Sequence, residues 1–269
     1  MRIATFNANS VRSRLDAILG WLRTHDPDAL CLQETKAQDA DFPARPFADA
    51  GWHVAFRGEK AYNGVAVVSR LKPAQVRFGL DDGGPADEAR LLCARIGPVW
   101  VVNTYVPQGR EIEHPMYRYK IEWFRRLRQY FDRHFSARSP LVWVGDMNVA
   151  PQPIDVHNAE RQARHVCYHE DARQAYADAL GWGFVDVFRL HHPEPGHYTF
   201  FDYRMAGSVS RGMGWRVDHI LASPALARRC TGAFIDLEPR RRPGASDHTF
   251  MVADFDVTPS PRGRVPRSA

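Results

Sequence analysis

An α/β fold of two packed β-sheets with helices outside is predicted by three features of this 269-residue sequence. Strand-like apolar runs are many and helical segments between them few, so a single doubly wound sheet, which needs a helix after nearly every strand, does not fit. Several strand-like runs meet polar side chains at one end, and strand ends of that kind are where α/β proteins gather ligands. A hydrophobic content of 44% is enough for one large core, so residues 1–257 are expected to form a single domain.

The elements follow in order. Arg2–Asn7 reads as a first strand ending on an amide, and Asn9-Ser10 is positioned to cap a helix over about 11–24, with Leu15, Ile18, Leu19 and Leu22 at helical spacing. Pro27 precedes a strand that ends on Gln33 and Glu34. A loop or short helix over 37–50 leads to a strand at Trp52–Phe56, and Tyr62-Asn63-Gly64 signals a hairpin before Val65–Ser69. Runs at 74–80 and 90–96 flank an Asp81-Asp-Gly-Gly-Pro85 turn. Val99–Val106 is a strand carrying Tyr105 at its end.

A helix over about 116–135 places Tyr119, Trp123, Phe124, Leu127, Tyr130 and Phe131 on one side. Arg118, Arg125, Arg126, Arg128 and Arg133 lie on the other, as a solvated face. Leu141–Asn148 begins after Pro140 as an apolar strand covered on both faces, and stops at Asp146 and Asn148. A helix near 170–180 and a loop-like stretch over 188–215 follow. Strands come next at 216–222 and 230–237, then the Arg240-Arg-Arg-Pro-Gly loop and a last strand to Val257. The Pro-, Arg- and Ser-rich stretch 258–269 is expected to be disordered.

Composition narrows the function classes. Cys31, Cys93, Cys167 and Cys230 show no Cys-x-x-Cys spacing and no clustering, which points to reduced thiols and away from zinc or disulfides. With neither a secretory leader pattern nor an apolar run of ~18 residues, a soluble, unexported, cytoplasmic protein with no membrane contact is expected. The net charge is +5. Only Lys36, Lys60, Lys72 and Lys120 of the basic residues are lysines. That excess of arginine suits phosphate partners, although base composition of the coding DNA explains it equally well.

Taken singly, Asn7, Glu34, Asp218 or His248 has a structural explanation in a turn, an ion pair or a hydrogen bond. Together they imply a shared cleft, because carboxylates gathered near one another need a cation or a bound phosphate to offset burial. Phosphodiester hydrolysis needs an activated water, a stabilised pentacovalent centre and a neutralised leaving oxygen. The oxygen donors Asn7, Glu34, Asp146, Asn148 and Asp247 suit Mg²⁺, with Mn²⁺ as a substitute. Asp146 is placed to activate water, with Asn148 holding it or a phosphate oxygen. His248, if paired with Asp218, would stay cationic, and Tyr105 supplies a phenolic donor.

The series Asn7, Leu32-Gln-Glu-Thr-Lys36, Tyr62-Asn-Gly-Val-Ala66, Tyr105-Val-Pro-Gln-Gly109, Gly145-Asp-Met-Asn-Val-Ala150, Ile154-Asp-Val-His-Asn158, Trp215-Arg-Val-Asp218 and Ser246-Asp-His248 resembles the exonuclease III family of apurinic/apyrimidinic endonucleases, over about residues 1–256. The resemblance implies a DNase I-like four-layer α/β sandwich and a monomer. It also implies Mg²⁺-dependent cleavage of double-stranded DNA 5′ to abasic sites, together with removal of nucleotides or blocking groups from 3′ ends. It supports Glu34 as principal metal ligand, with Asn7 and Asp247 nearby, and Tyr105, Asp146, Asn148, Asp218 and His248 as the catalytic set.

Arg12 and Lys36 match positions near the DNA backbone, and Phe200 and Trp215 match the aromatic pocket for a flipped-out sugar. Two departures stand out. Arg204 replaces an apolar wedge, and Asn9 stands where some relatives carry an acid, which leaves one or two metal ions open. A superfamily phosphoesterase acting on another phosphodiester and a non-catalytic DNA-binding protein are the alternatives. The intact Glu34, Asp146 and His248 speak against the second, since a binding module gains nothing from carboxylates facing phosphate.

Overall fold

The computed structural model describes residues 1–84 and 89–259, so Pro85 of the expected turn and residues 260–269 of the expected tail lie outside the described residues. The first half of the chain forms β1 (Arg2–Asn7), α1 (Leu15–His25), β2 (Ala29–Gln33), α2 (Ala44–Asp49), β3 (His53–Arg57), β4 (Val65–Ser69), β5 (Gln75–Phe78), β6 (Leu91–Ile96) and β7 (Val99–Tyr105). The second half forms α3 (Pro115–His134), β8 (Leu141–Asp146), α4 (Glu170–Leu180), β9 (Val185–Asp186), α5 (Val187–His191), β10 (Asp218–Ala222), α6 (Pro224–Ala227), β11 (Cys230–Asp236) and β12 (Phe250–Phe255).

The strands make two six-stranded sheets, ordered β11-β12-β1-β2-β4-β3 and β5-β6-β7-β8-β10-β9. Each sheet holds one parallel pair, β1 with β2 and β7 with β8, flanked by antiparallel neighbours. Both members of a parallel pair end at the same rim, and the antiparallel neighbours β12 and β10 begin there. The polar strand ends read from the sequence therefore share an edge of the molecule.

The alternation of side chains builds four layers. On β8, Val142 and Val144 pack with Ile3, Cys31, Val101 and Ile220 between the sheets, whereas Leu141 and Trp143 pack with Trp123, Leu127 and Phe131 beneath α3. On the far side, Phe6, Leu30, Leu32 and Val68 meet Ile18, Trp21, Leu22 and Phe47 of α1 and α2. Burying an aliphatic side chain contributes about 1.5–3 kcal/mol, so these three cores dominate the stability.

A polar contact crosses between the sheets within the apolar layer. Gln33 Nε2 donates to Asn103 Oδ1 at 2.7 Å, and Asn103 Nδ2 donates to the carbonyls of Leu32 and Ala66 at 3.0 and 2.9 Å, all fully buried.

Several expectations change in detail. The first helix begins at Leu15, because the Ser10 and Val11 amides bond instead to the carbonyls of Glu34 and Thr35 at 2.8 and 3.0 Å. Asn9 and Ser10 take left-handed backbone, and Asn9-Ser10 is not the cap. The stretch 188–215 is not wholly loop, since α5 enters it. Arg126, assigned to a solvated face, is buried and makes a two-pronged pair with Asp82 at 2.7 and 2.8 Å. All four cysteines are free thiols, three of them buried. Among the described residues, no helix is long and apolar enough to cross a membrane.

Hydrogen bonds from Arg126 lower the Asp82 pKa from 3.8 to about 2, burial opposing and the Gly84 amide assisting. A depressed carboxylate contributes stability above its unfolded pKa and loses it as pH falls through the folded value. Asp82→Asn should therefore lower stability at pH 7 by about 1 kcal/mol, with the deficit vanishing as pH falls from about 4 toward 2; urea unfolding across that range measures it. A deficit independent of pH would dissociate Asp82 from this linkage.

Candidate active site

The rim gathers Asn7 from the end of β1 and Glu34 from just past β2. Tyr105 and Asp146 come from the ends of β7 and β8, Asp218 from the start of β10, and Asp247 and His248 from just before β12. Tyr105 and Asp218 are both registered against Asp146, so three functional groups occupy one row across three strands. Gly145 makes that row possible. Its φ is 133°, and a Cβ there would lie 2.0 Å from the Thr104 carbonyl oxygen, so β8 approaches β7 as only glycine permits.

Asn7 is the hub between the two sheets. Its Nδ2 donates to Glu34 Oε1 and to Asp146 Oδ2, each at 2.8 Å, while its Oδ1 accepts the Asn9 amide at 3.0 Å. Asn7 thereby ties the two carboxylates together across the sheets, while its Oδ1 accepts a single backbone amide. Asn9 extends the chain of bonds, donating to Asp247 Oδ1 at 3.0 Å and accepting from Lys36 at 2.5 Å. Lys36 also pairs with Glu34 Oε2 at 2.8 Å. Lys36, expected near the DNA backbone, is directed at the acid cluster here and remains partly exposed.

His248 Nδ1 lies 2.7 Å from Asp218 Oδ2, and its Nε2 lies 3.8 Å from Asp146 Oδ2. The Asp218 amide and that of Val217 both donate to Thr199 Oγ1 at 3.2 Å, which fixes the carboxylate. Asp146 Oδ1 accepts the Asn148 amide at 2.9 Å, and the Asn148 side chain donates to the Val106 carbonyl at 3.0 Å. Arg90 sits over the Tyr105 ring, 4.9 Å from its centre.

The electrostatics separate the groups. Burial, together with Asp218 and Glu34, raises the Asp146 carboxyl above the usual range, against the opposing pull of His248. Burial alone would neutralise His248, but Asp218 and Asp146 outweigh it and hold the ring as imidazolium. Glu34 goes the other way: burial opposes its charge, and Lys36 and Asn7 more than compensate. Burial and the charges of Glu34 and Asp146 keep Tyr105 a neutral phenol.

Glu34, Tyr105, Asp146 and His248 line a cleft of about 330 Å³ together with Asn148, Phe200, Trp215, Asp247 and Arg204. Phe200 and Trp215 exchange backbone hydrogen bonds at 2.9 Å, and the Phe200 ring lies 5.0 Å from His248, so the aromatic pair is fixed beside the acids. His165 leans on Trp215 with ring centres 4.5 Å apart, and burial lowers its pKa to about 4, leaving it neutral. Arg204 stands at the mouth, 88% exposed, against Asp202 at 2.7 Å. Arg12 is exposed and lies outside the cleft lining.

Among the described residues, Glu34 pairs with Lys36 and Asp218 with His248, Asp146 and Asp247 add two further carboxylates, and the buried Asp218 Oδ1 has no hydrogen-bond partner. An excess of buried anionic oxygen fits a hard divalent cation. Asp146, Asp218 and His248 bring ligand atoms within 4.8 Å of one another, with His248 hydrogen-bonded to Asp218 at 2.7 Å and 3.8 Å from Asp146. Of the four, Glu34, Asp146 and Asp247 line the open cleft, and Glu34 and Asp247 are only partly buried.

Some residues that shape the site carried no motif. Lys120 is fully buried, and its ammonium donates to the carbonyls of Gln108, Asn148 and Val166 at 3.2, 2.7 and 2.8 Å, tying three loops around the cleft. A lysine in helical register with Tyr117, Phe124 and Leu127 was the available signal. Buried Arg216, two residues before Asp218, pairs with Asp155 at 2.7 Å and Asp186 at 2.8 Å.

Fold and site together define a phosphoester-cleaving hydrolase, and the chain belongs to the endonuclease/exonuclease/phosphatase family, whose model matches residues 4–248. Within it, the chain is a member of the exonuclease III group of AP endonucleases and is a nuclease. It is 30% identical over 267 residues to the exodeoxyribonuclease III of Haemophilus influenzae, covering 95% of this chain and 100% of that one. An AP endonuclease structure from Archaeoglobus fulgidus is 51% identical with a TM-score of 0.94, covering 96% of this chain and 100% of that one. A 3′-5′ exonuclease structure from Neisseria meningitidis is 38% identical with a TM-score of 0.91, at the same coverages. These likenesses bear out the expected family and the two-sheet sandwich.

Removing the charge beside His248 should release its proton. In Asp218→Asn, measured by NMR of the ring nitrogens without added metal, the imidazole pKa should fall toward the ordinary range near 6.5. An imidazole that stays cationic to high pH in that variant would assign the effect to Asp146 alone.

Proposed function

We propose that the protein is a Mg²⁺-dependent DNA-repair phosphodiesterase that cuts the backbone 5′ to abasic sites and cleans blocked 3′ ends. The observation that carries this reading is His248, 2.7 Å from Asp218 and 3.8 Å from a buried Asp146, with His248 and Asp146 both opening on a cleft walled by Phe200 and Trp215. An acid and a base side by side, with opposite protonation, are what in-line hydrolysis of a phosphodiester requires.

Water attacks the phosphorus opposite the leaving 3′ oxygen, and Asp146, held by Asn7 and the Asn148 amide, takes the water's proton. His248 donates a hydrogen bond to a non-bridging oxygen as charge builds on it, with Asp218 keeping the ring charged and oriented. Tyr105, protonated at working pH, donates to the phosphate or to the leaving oxygen as its bond to phosphorus breaks. Asn148 aids in positioning the water or phosphate. The products are a 3′ hydroxyl and a 5′ phosphate. Glu34 and Asp247 would hold the Mg²⁺, which would supply neutralising charge at the phosphate.

Substrate choice rests on the walls. A deoxyribose without a base leaves the helix at lower cost than a stacked nucleotide and fits between Phe200 and Trp215. Arg204 at the mouth offers a phosphate contact in place of an apolar wedge.

Asp146→Asn should keep the fold and the affinity for DNA while lowering cleavage by about 10²–10⁴-fold. Turnover close to the parent's would remove Asp146 from the mechanism. Chelation should stop nicking and added Mg²⁺ restore it; persistence in chelator would overturn the Glu34 and Asp247 assignment. Product analysis on matched duplexes with an internal abasic site, a 3′ phosphate or an undamaged recessed end should show the first two consumed fastest.

A further inference from the structure

Away from the rim, the segment His192-Pro-Glu-Pro-Gly-His197 brings together a second set of metal-ligating groups. Among the described residues, His192, Glu194 and His197 are the other group whose ligand atoms all lie within 4.8 Å of one another. His197 Nε2 is 2.7 Å from Glu194 Oε1, and His192 Nδ1 is 3.4 Å from the same oxygen. The three side chains are partly exposed, so the site opens to solvent.

Two features show that this arrangement is built. His192 Nε2 lies 2.7 Å from the Ala233 carbonyl of β11, and a carbonyl only accepts, so Nε2 carries the proton. In the neutral ring Nδ1 is then a lone pair facing a carboxylate oxygen. Two acceptors facing each other need a proton or a metal ion between them, and a backbone carbonyl on the far nitrogen is the usual support of a metal-bound histidine. The second feature is the loop itself. Arg189 Nη1 donates to the carbonyls of His192 and Glu194 at 2.9 and 2.8 Å, while its own charge is met by Asp155. Stacking on Phe188, with ring centres 4.6 Å apart, further fixes His192.

We propose that His192, Glu194 and His197 form a site for a borderline transition ion of the Zn²⁺ class, separate from the oxygen-lined rim. Two imidazole nitrogens and one carboxylate oxygen favour such an ion over Mg²⁺, and three protein ligands leave a position for water. Bonds of ~2.0–2.1 Å place neighbouring tetrahedral ligands about 3.3 Å apart. The His192 to Glu194 separation meets that value, and His197 has to withdraw from hydrogen-bond range by about half an ångström. The ion would clamp the end of α5 to the chain two residues before Thr199, whose hydroxyl seats Asp218.

The test uses untagged full-length protein, stripped with chelator and then titrated with Zn²⁺, or with Co²⁺ as a spectroscopic probe, in excess Mg²⁺. The parent should take up one equivalent that His197→Gln and Glu194→Gln lose or bind about tenfold or more weakly. The rim variant Asp247→Asn should retain it. A rise in melting temperature with Zn²⁺ should likewise disappear in the two loop variants, whose Mg²⁺-dependent cleavage stays at the parent level. If the parent and both loop variants bind the same number of equivalents with affinities within twofold, the cluster is an ion-paired loop only, and the proposal fails.

Discussion

The hydrogen bonds from Gln33 to Asn103, and from Asn103 back to the Leu32 and Ala66 carbonyls, are the constraint on which the site's geometry rests. Apolar layers between sheets are non-directional, so they hold two sheets together without fixing how far one slides along the other. A fully buried amide has defined partners, and leaving one unmet costs about 1–3 kcal/mol. Gln33 directly precedes Glu34, and Asn103 lies two residues before Tyr105. Satisfying the amides therefore also sets the offset at which the two rims meet.

On that frame the charges sort themselves by neighbour. Asn7 ties Glu34 to Asp146 through one nitrogen, yet the two acids end up shifted in opposite directions, because Lys36 offsets burial at Glu34 whereas Asp146 is fully buried among other carboxylates. The cation at His248 depends on Asp218, which depends on the Thr199 hydroxyl. The reactive groups are few, and most of the polar residues around them hold these groups in position.

Much of this was legible in the sequence. Glu34, Tyr105, Asp146, Asp218, Asp247 and His248 could be read because strand period and polar ends locate them without knowledge of distant contacts. The positions of Lys36 and Asn7 were also readable, but their orientations were not: whether an amide presents oxygen or nitrogen depends on Asn9, and where Lys36 points depends on Asn9 and Glu34. The start of α1 was misplaced for the same reason, since the Ser10 and Val11 amides found carbonyls beyond β2. Arg126 looked like its neighbouring surface arginines because its partner Asp82 is supplied from outside the helix. Lys120 was hidden because its partners are main-chain carbonyls, which every residue possesses.

The rim divides unevenly by origin: Asn7, Glu34, Asp247 and His248 belong to one sheet, and Tyr105, Asp146 and Asp218 to the other. A nucleic-acid backbone seated there rests across the seam and touches both halves at once. A substrate bound there would act as a strap over that joint, opposing any slide of one sheet along the other.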